Sequence, residues 1–290
     1  MRPALTLLFA TSLLASCQGV DWSPDQLANG HTSKSLRQAQ LGRDVYGTYC
    51  VGCHGEKGDG NGPAARFLDP RPRDFRLGRL KFASVASGDP PRDDDYLRTI
   101  KHGLSGTAMP SFALLTDQER AAVLSYVRGF IDPSNRDPAG APLSIGKDPW
   151  TRDPDGGINE GRKAYHAFAK CWSCHPAYES RSEIARLTAE SNLPATELRP
   201  NLYESEAKES QWGAPIRPPD FLIDRIKTGL DLETLAMVIN AGVGGTAMPT
   251  WAGALSPQQV WGIAHYVRSL ALMRGTPEGS ALKQRLLTAN

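Results

Sequence analysis

No apolar run in this chain of 290 residues approaches the ~20 consecutive residues that span a bilayer, which excludes a polytopic helical membrane protein. Charge of one sign is missing as well. Lys and Arg number 33 against 31 Asp and Glu, a formal net charge of +2, and that balance announces no nucleic-acid binder. Cysteine is scarce, and its count of five is odd, so the thiols do not make a disulfide framework and must be divided among other roles. What is present is ordinary for globular protein: 40% hydrophobic and 22% charged residues, over a length that suits about two domains of ~150 residues.

The first residues carry an address. Met1-Arg2-Pro3, an apolar stretch from Ala4 to Ala15 and a small residue at Ser16 form an export signal over residues 1–16, too short for a transmembrane helix. Its close, Leu14-Ala15-Ser16-Cys17, resembles the lipobox of bacterial lipoproteins. The resemblance implies that Cys17 is lipidated and anchors the protein to a bacterial membrane facing the periplasm, each buried methylene contributing ~0.8 kcal/mol. A plain signal peptide with an incidental Cys is the alternative. Gln18 after the Cys slightly favours the outer membrane. Residues 17–35 are polar, with Gly19, Pro24 and Gly30, and predict a flexible tether.

The rest of the chain says most things twice. Gly42-Arg43-Asp44-Val45-Tyr46 returns as Gly161-Arg162-Lys163-Ala164-Tyr165, and Cys50-Val51-Gly52-Cys53-His54 as Cys171-Trp172-Ser173-Cys174-His175. Arg71-Pro72-Arg73-Asp74-Phe75 returns as Arg217-Pro218-Pro219-Asp220-Phe221. Gly106-Thr107-Ala108-Met109-Pro110 returns as Gly245-Thr246-Ala247-Met248-Pro249, and Tyr126-Val127-Arg128 as Tyr266-Val267-Arg268. Five matched blocks in one order predict two homologous domains, residues 36–132 and 157–274. Between them the prolines of residues 133–156 predict an extended linker, and residues 275–290 are left as a C-terminal tail.

Each half opens and closes on a helical pattern. Leu41, Val45 and Tyr49 recur every fourth residue; Ile158, Gly161, Tyr165, Phe168 and Trp172 follow a three-four spacing. Thr116-Asp117-Gln118-Glu119 and Ser256-Pro257-Gln258-Gln259 are capping boxes that start the closing helices. No strand hairpin is evident, and the fold class is all-α.

Cys-x-x-Cys-His is the attachment signature of c-type haem, its two thiols adding to the porphyrin vinyl groups while the histidine supplies the proximal nitrogen. Zinc also uses Cys-x-x-Cys, but with Cys17 in the signal only four cysteines remain, all inside the two motifs. A redox dithiol leaves the repeated histidine unexplained. Cys50, Cys53, Cys171 and Cys174 are therefore the covalent attachment residues for two haem c, and His54 and His175 the first axial ligands. Met109 lies 55 residues after His54 and Met248 lies 73 after His175, each in the same pentapeptide, which marks them as the second axial ligands. Met237 and Met273 fit ordinary core filling. His102, His166, His265 and His31 have no matched histidine in the other half, and the expectation for them is a hydrogen-bonded or exposed surface position.

On these residues each half resembles a class I cytochrome c domain, and the whole resembles the tandem dihaem cytochromes c of bacterial respiratory chains. The resemblance implies that the helix carrying Gly42 and Tyr46 crosses the one carrying Tyr126, with Gly161, Tyr165 and Tyr266 repeating the crossing. It implies that Pro63, in the loop Gly58–Ala65, turns its carbonyl to the proximal histidine of the first half. The second half has no such loop. It has instead 25 extra residues between His175 and Asp220, placed at about residues 177–214 with a short helix near Glu183–Glu190. Arg71 and Arg217 are the candidates for haem propionates. Electron transfer is the implied function, with respiratory complexes or small electron carriers as redox partners. The alternatives are a haem subunit of a membrane oxidoreductase complex and a dihaem peroxidase-type enzyme.

Overall fold

The computed structural model describes residues 33–288 except residue 214. The export signal, Cys17 and all but the last three residues of the expected tether lie outside the described residues; those three already belong to a helix. Among the described residues, those up to Gln38 belong to one unit and those from Ala39 onward to a second, which holds both repeats.

The described residues are mostly helical, with almost no strand. The first half contains α1 (Ser33–Tyr49), the single turn α2 (Val51–His54), α3 (Asp93–His102) and α4 (Asp117–Arg128). The second contains α5 (Pro154–Lys163), α6 (Arg181–Glu190), α7 (Leu232–Ala241), α8 (Pro257–Leu272) and α9 (Pro277–Thr288). Both capping boxes form: Thr116 and Glu119 exchange side-chain to backbone bonds, and so do Ser256 and Gln259. A two-residue ribbon, β1 (Lys208–Glu209) against β2 (Pro215–Ile216), is the strand pairing among the described residues.

The two helix crossings are built from the matched blocks. A Cβ on Gly42 would collide with the Ala122 carbonyl in α4, and one on Gly161 with the Gly262 carbonyl in α8. Hydrogen alone fits there, so backbones touch. Tyr46 and Tyr126 pack beside the first crossing at 5.2 Å between ring centroids, and Tyr165 and Tyr266 beside the second at 5.7 Å. Val45, Tyr46, Val123 and Val127 form the buried cluster of the first half. Tyr165, Phe221, Leu235, Ile239, Val260, Ile263, Val267 and Leu270 belong to the larger one of the second.

Three stretches differ from the sequence expectation. The opening helix of the second half does not run on to Trp172: from Ala164 to Phe168 it widens into a π turn and then breaks at Lys170, which takes a left-handed backbone. Tyr165 is ten residues before His175, whereas Tyr46 is eight before His54, and the widened turn and the break at Lys170 together take up the difference. Phe168 is thereby rotated outward, 36% exposed. The expected tail contains the helix α9, whose Leu286 is buried with Trp172, Ile184 and Leu202, and whose Lys283 pairs with Asp220 at 2.7 Å. The linker is extended but pinned. Leu143 N–H donates to the Ser84 carbonyl at 2.8 Å, Trp261 Nε1–H to the Ile145 carbonyl at 3.0 Å, and Asp148 meets His265 at 2.9 Å.

The halves meet through an exchanged pair of bonds. Ser105 N–H donates to the Lys227 carbonyl at 2.7 Å, and Gly244 N–H donates to the Lys81 carbonyl at 2.8 Å. Ser105 and Gly244 each lie four residues before the repeated Met; Lys81 and Lys227 each lie seven after the repeated Asp. Each half therefore gives the other what it receives, the signature of a two-fold contact.

Candidate functional site

Both Cys-x-x-Cys-His segments close one helical turn. His54 N–H reaches the Cys50 carbonyl at 2.9 Å and His175 N–H reaches the Cys171 carbonyl at 2.9 Å. Spacings of three and four residues bring both thiols and the imidazole to one side of such a turn. All four thiols are unpaired and partly buried. Burial, with the adjacent thiol adding to it, pushes Cys50 up to about 11; burial pushes Cys171 up to about 12. A redox dithiol needs a thiol pushed the other way, toward neutrality. Among the described residues no group of three or more His, Cys, Asp or Glu gathers that could hold a metal ion.

The proximal histidines are held alike. Nδ1 of His54 donates to the Arg73 carbonyl at 3.1 Å, and Nδ1 of His175 to the Pro219 carbonyl at 3.0 Å. A carbonyl only accepts, so Nδ1 carries the proton and Nε2 is left as a lone pair suited to a metal. Burial lowers the pKa of both rings, which keeps them neutral. Phe75 stacks on His54 at 4.3 Å and Phe221 on His175 at 5.1 Å. Arg73 and Pro219 occupy the same place in the matched block. The expectation for Pro63 is thus corrected: Pro63 is exposed, and the carbonyl at His54 comes from Arg73, 19 residues from the histidine. Arg73 was missed because a backbone carbonyl leaves no mark on residue type, although its block recurs in both halves.

The glycine loop of the first half has another task. Its amides cap the carbonyls of the haem-motif turn: Gly60 N–H to His54 O at 3.0 Å, Gly62 N–H to Cys53 O at 3.1 Å, and Ala64 N–H to Gly52 O at 3.0 Å. In the second half a side chain does part of this work. Arg199, from the insertion, donates through Nε to Trp172 O at 2.6 Å and through Nη2 to His175 O at 2.8 Å, and also reaches Glu204 O. Glu206 N–H completes the set at Cys174 O, 2.9 Å. Nothing in the sequence singled out Arg199, since its counterpart is a loop of backbone amides rather than a residue. A tyrosine ties down the chain just past each motif: Tyr46 Oη–H donates to Gly55 O and Tyr165 Oη–H to Pro176 O, both at 2.7 Å.

Met109 and Met248 sit in loops of the same bonded form. Thr107 Oγ1 donates to Leu104 O at 2.8 Å and accepts from Met109 N–H at 3.1 Å. Thr246 Oγ1 donates to Val243 O at 2.7 Å and accepts from Met248 N–H at 3.1 Å. Leu104 N–H and Val243 N–H close the loops on the carbonyls of Met109 and Met248. Each threonine thus fixes the main chain of its methionine. Two free thiols, one imidazole with an uncommitted Nε2 and a loop-held methionine per half suit covalent haem and its two axial positions.

The remaining candidates lie elsewhere. Arg71 is exposed and its guanidinium reaches Asn61 Oδ1 at 3.3 Å; Arg217 is exposed. His102 is exposed, but His166 and His265 are buried rather than on the surface. His166 donates from Nδ1 to Arg162 O at 2.8 Å and accepts at Nε2 from Tyr178 N–H at 3.2 Å, so both its nitrogens are used inside the protein.

Residues 39–130 match the family model for cytochrome c, and residues 156–267 match that for cytochrome c oxidase, cbb3-type, subunit III. No curated protein sequence matches the chain. Among solved structures, a chain of the reducing HAO-like protein complex of Kuenenia stuttgartiensis is similar, with 32% sequence identity and a TM-score of 0.63. The similarity covers 80% of this chain and 96% of that one. Two cytochrome c models in series, a relative spanned almost end to end and the duplicated haem-motif geometry agree: the chain belongs to the c-type cytochromes, as two cytochrome c domains in tandem.

Proposed function

We propose that this cytochrome is a dihaem electron carrier of a bacterial respiratory chain, working on the periplasmic side of a membrane. Cys50 and Cys53 would hold one haem c and Cys171 and Cys174 the other, with His54 and Met109, and His175 and Met248, at the axial positions. Bound haem supplies an iron that alternates between ferrous and ferric. The residues of the chain do the rest. The carbonyls of Arg73 and Pro219 fix the histidine tautomer, Phe75 and Phe221 fix ring orientation, and Thr107 and Thr246 hold the methionine loops. Thioether ligation would raise the potential, and with protein ligands from both His and Met the iron would offer no open position to peroxide. The observation that carries this reading is the second occurrence, bond for bond, of the threonine-held methionine loop.

The test is haem stoichiometry followed by turnover. Two haems per chain should survive acid–acetone extraction, and the protein should exchange electrons with small cytochromes while consuming peroxide negligibly. One haem per chain, zinc in place of iron, or a high-spin haem with substantial peroxidase turnover before any substrate is added would overturn it. A second reading, a haem subunit of an oxidoreductase complex, draws support from the similar chain being part of a protein complex. Purification in mild detergent separates the two by what is retained.

The anchor belongs to the same proposal. Leu14-Ala15-Ser16-Cys17 supports lipidation at Cys17, slightly favouring the outer membrane through Gln18. The Cys17→Ser protein should leave the membrane fraction or stay unprocessed while both haems still assemble. A processed, membrane-bound Cys17→Ser product removes the lipid anchor from the proposal.

A further inference from the structure

The insertion of the second half ends in a side chain that neither the repeat nor the axial ligands explain. Trp212 lies in the turn between β1 and β2, where Gly213 N–H returns to Ser210 O at 3.0 Å. It reaches two places at once. Its ring fills the space beside Gly245, so that a Cβ there would collide with the indole, and the adjoining Gln211 N–H donates to Gly245 O at 3.1 Å. Gly245 is three residues before Met248 in the same held loop. The ring also carries the Arg73 guanidinium, 4.1 Å from its centroid, with the Lys81 ammonium at 5.9 Å. Arg73 is the residue whose carbonyl orients His54.

At the exchanged pair of bonds the seam is reciprocal, and here it is not. Gly106, the counterpart of Gly245, faces the side chain of Arg225. The residue that two-fold symmetry would set against Gly245 is Arg79, which instead pairs with Asp137 at 3.4 Å. Trp212 has taken its place. An indole is flat and stiff, and a stacked guanidinium is held by the electrostatic attraction of the ring face. The contact therefore joins the histidine side of one site to the methionine side of the other.

We propose that Trp212 is a positioning residue shared by both haem sites: it clamps Arg73, and so the carbonyl that orients His54, against the loop that presents Met248. The proposal rests on the axial ligand set given above. Its consequence is that the insertion tunes the two sites together, in opposite senses. Loosening Arg73 weakens the hydrogen bond to His54, makes that imidazole a poorer donor and raises the potential at the first site. Loosening the Gly245 loop weakens the hold on Met248 and lowers the potential at the second.

The experiment uses the full chain with both haems, comparing wild type, Trp212→Ala and Trp212→Phe. It reads haem stoichiometry, the two potentials, and the near-infrared sulfur-to-iron band, with each haem assigned by its change in Met109→Ala and Met248→Ala. Trp212→Ala should keep two covalent haems, raise the His54 haem, lower the Met248 haem and reduce the sulfur band of the latter. Trp212→Phe, which keeps an aromatic face, should restore most of each change. Potentials that stay at wild-type values, or that move in the same direction as general solvent exposure would drive them, overturn the proposal. If Trp212→Ala assembles fewer than two haems, Arg73→Gln reads the same link from its other end. It should raise the potential at His54 and leave that at Met248 unchanged, and an unshifted His54 haem sinks the clamp. Because each reading is a difference from wild type, a wild-type protein without two sulfur bands defeats the ligand assignment instead.

Discussion

Replacing Met109 or Met248 by Ala should abolish half of the near-infrared sulfur-to-iron charge-transfer absorption and drop one of two potentials. The drop is expected on the order of a few tenths of a volt, within the ~0.8 V range that axial ligation spans. Thioether sulfur favours the ferrous state, so its loss favours the ferric one and lowers the potential. The vacated position should then bind cyanide or carbon monoxide, which wild type should resist. Thr107 and Thr246 give the control. Each holds its methionine through the main chain only, so Thr107→Val or Thr246→Val should weaken the sulfur band without removing it. Unchanged spectra and potentials in both alanine variants would remove methionine from the ligand set and reopen the enzyme reading.

The second large effect is at Arg199. Its guanidinium satisfies carbonyls at Trp172, His175 and Glu204. Leaving a buried carbonyl unpaired costs about 1–3 kcal/mol. Glu204 is exposed and its carbonyl can turn to water, but those of buried Trp172 and partly buried His175 together amount to a large part of the ~5–15 kcal/mol that separates folded from unfolded protein. Arg199→Ala should therefore yield chains with one covalent haem, at Cys50 and Cys53, or with a second half that melts well before the first. Mass spectrometry of haem-bearing peptides reads the outcome directly. Two haems per chain at wild-type occupancy, with unchanged melting, would show that the turn around His175 stands without its arginine.

These residues also mark where the sequence stops being legible. The repeat, the helix starts at Thr116 and Ser256, and the glycine crossings at Gly42 and Gly161 are written in residue types, because each needs a particular side chain or the lack of one. The haem-motif residues are legible for the same reason. Arg73 is not, since its contribution to His54 is a carbonyl that every residue possesses. Arg199 is not, since it substitutes for backbone amides and so has no partner in the alignment of the halves. The π turn at Ala164–Phe168 is hidden because two extra residues before Cys171 leave the apolar spacing looking helical while the chain widens, and breaks at Lys170, to absorb them. The helix α9 lacks a strong apolar stripe, and what holds it, Leu286 among Trp172 and Ile184 and Lys283 on Asp220, is long-range.

The exchanged bonds between Ser105 and Lys227, and between Gly244 and Lys81, have an evolutionary consequence. Two separate copies of one polypeptide could make such a contact, but they would carry every later change on both sides of the axis at once. An insertion useful at one copy would be forced on the other. Fusion into one chain removes that constraint, and it replaces a concentration-dependent association by an intramolecular one, with an effective concentration on the order of millimolar for a short connection. Arg199 and Trp212 both belong to the stretch that only the second half possesses. Asymmetry of this kind is open to a fused pair and closed to a homodimer, and it gives otherwise equivalent redox centres a means to diverge in potential, and so a direction for the electron.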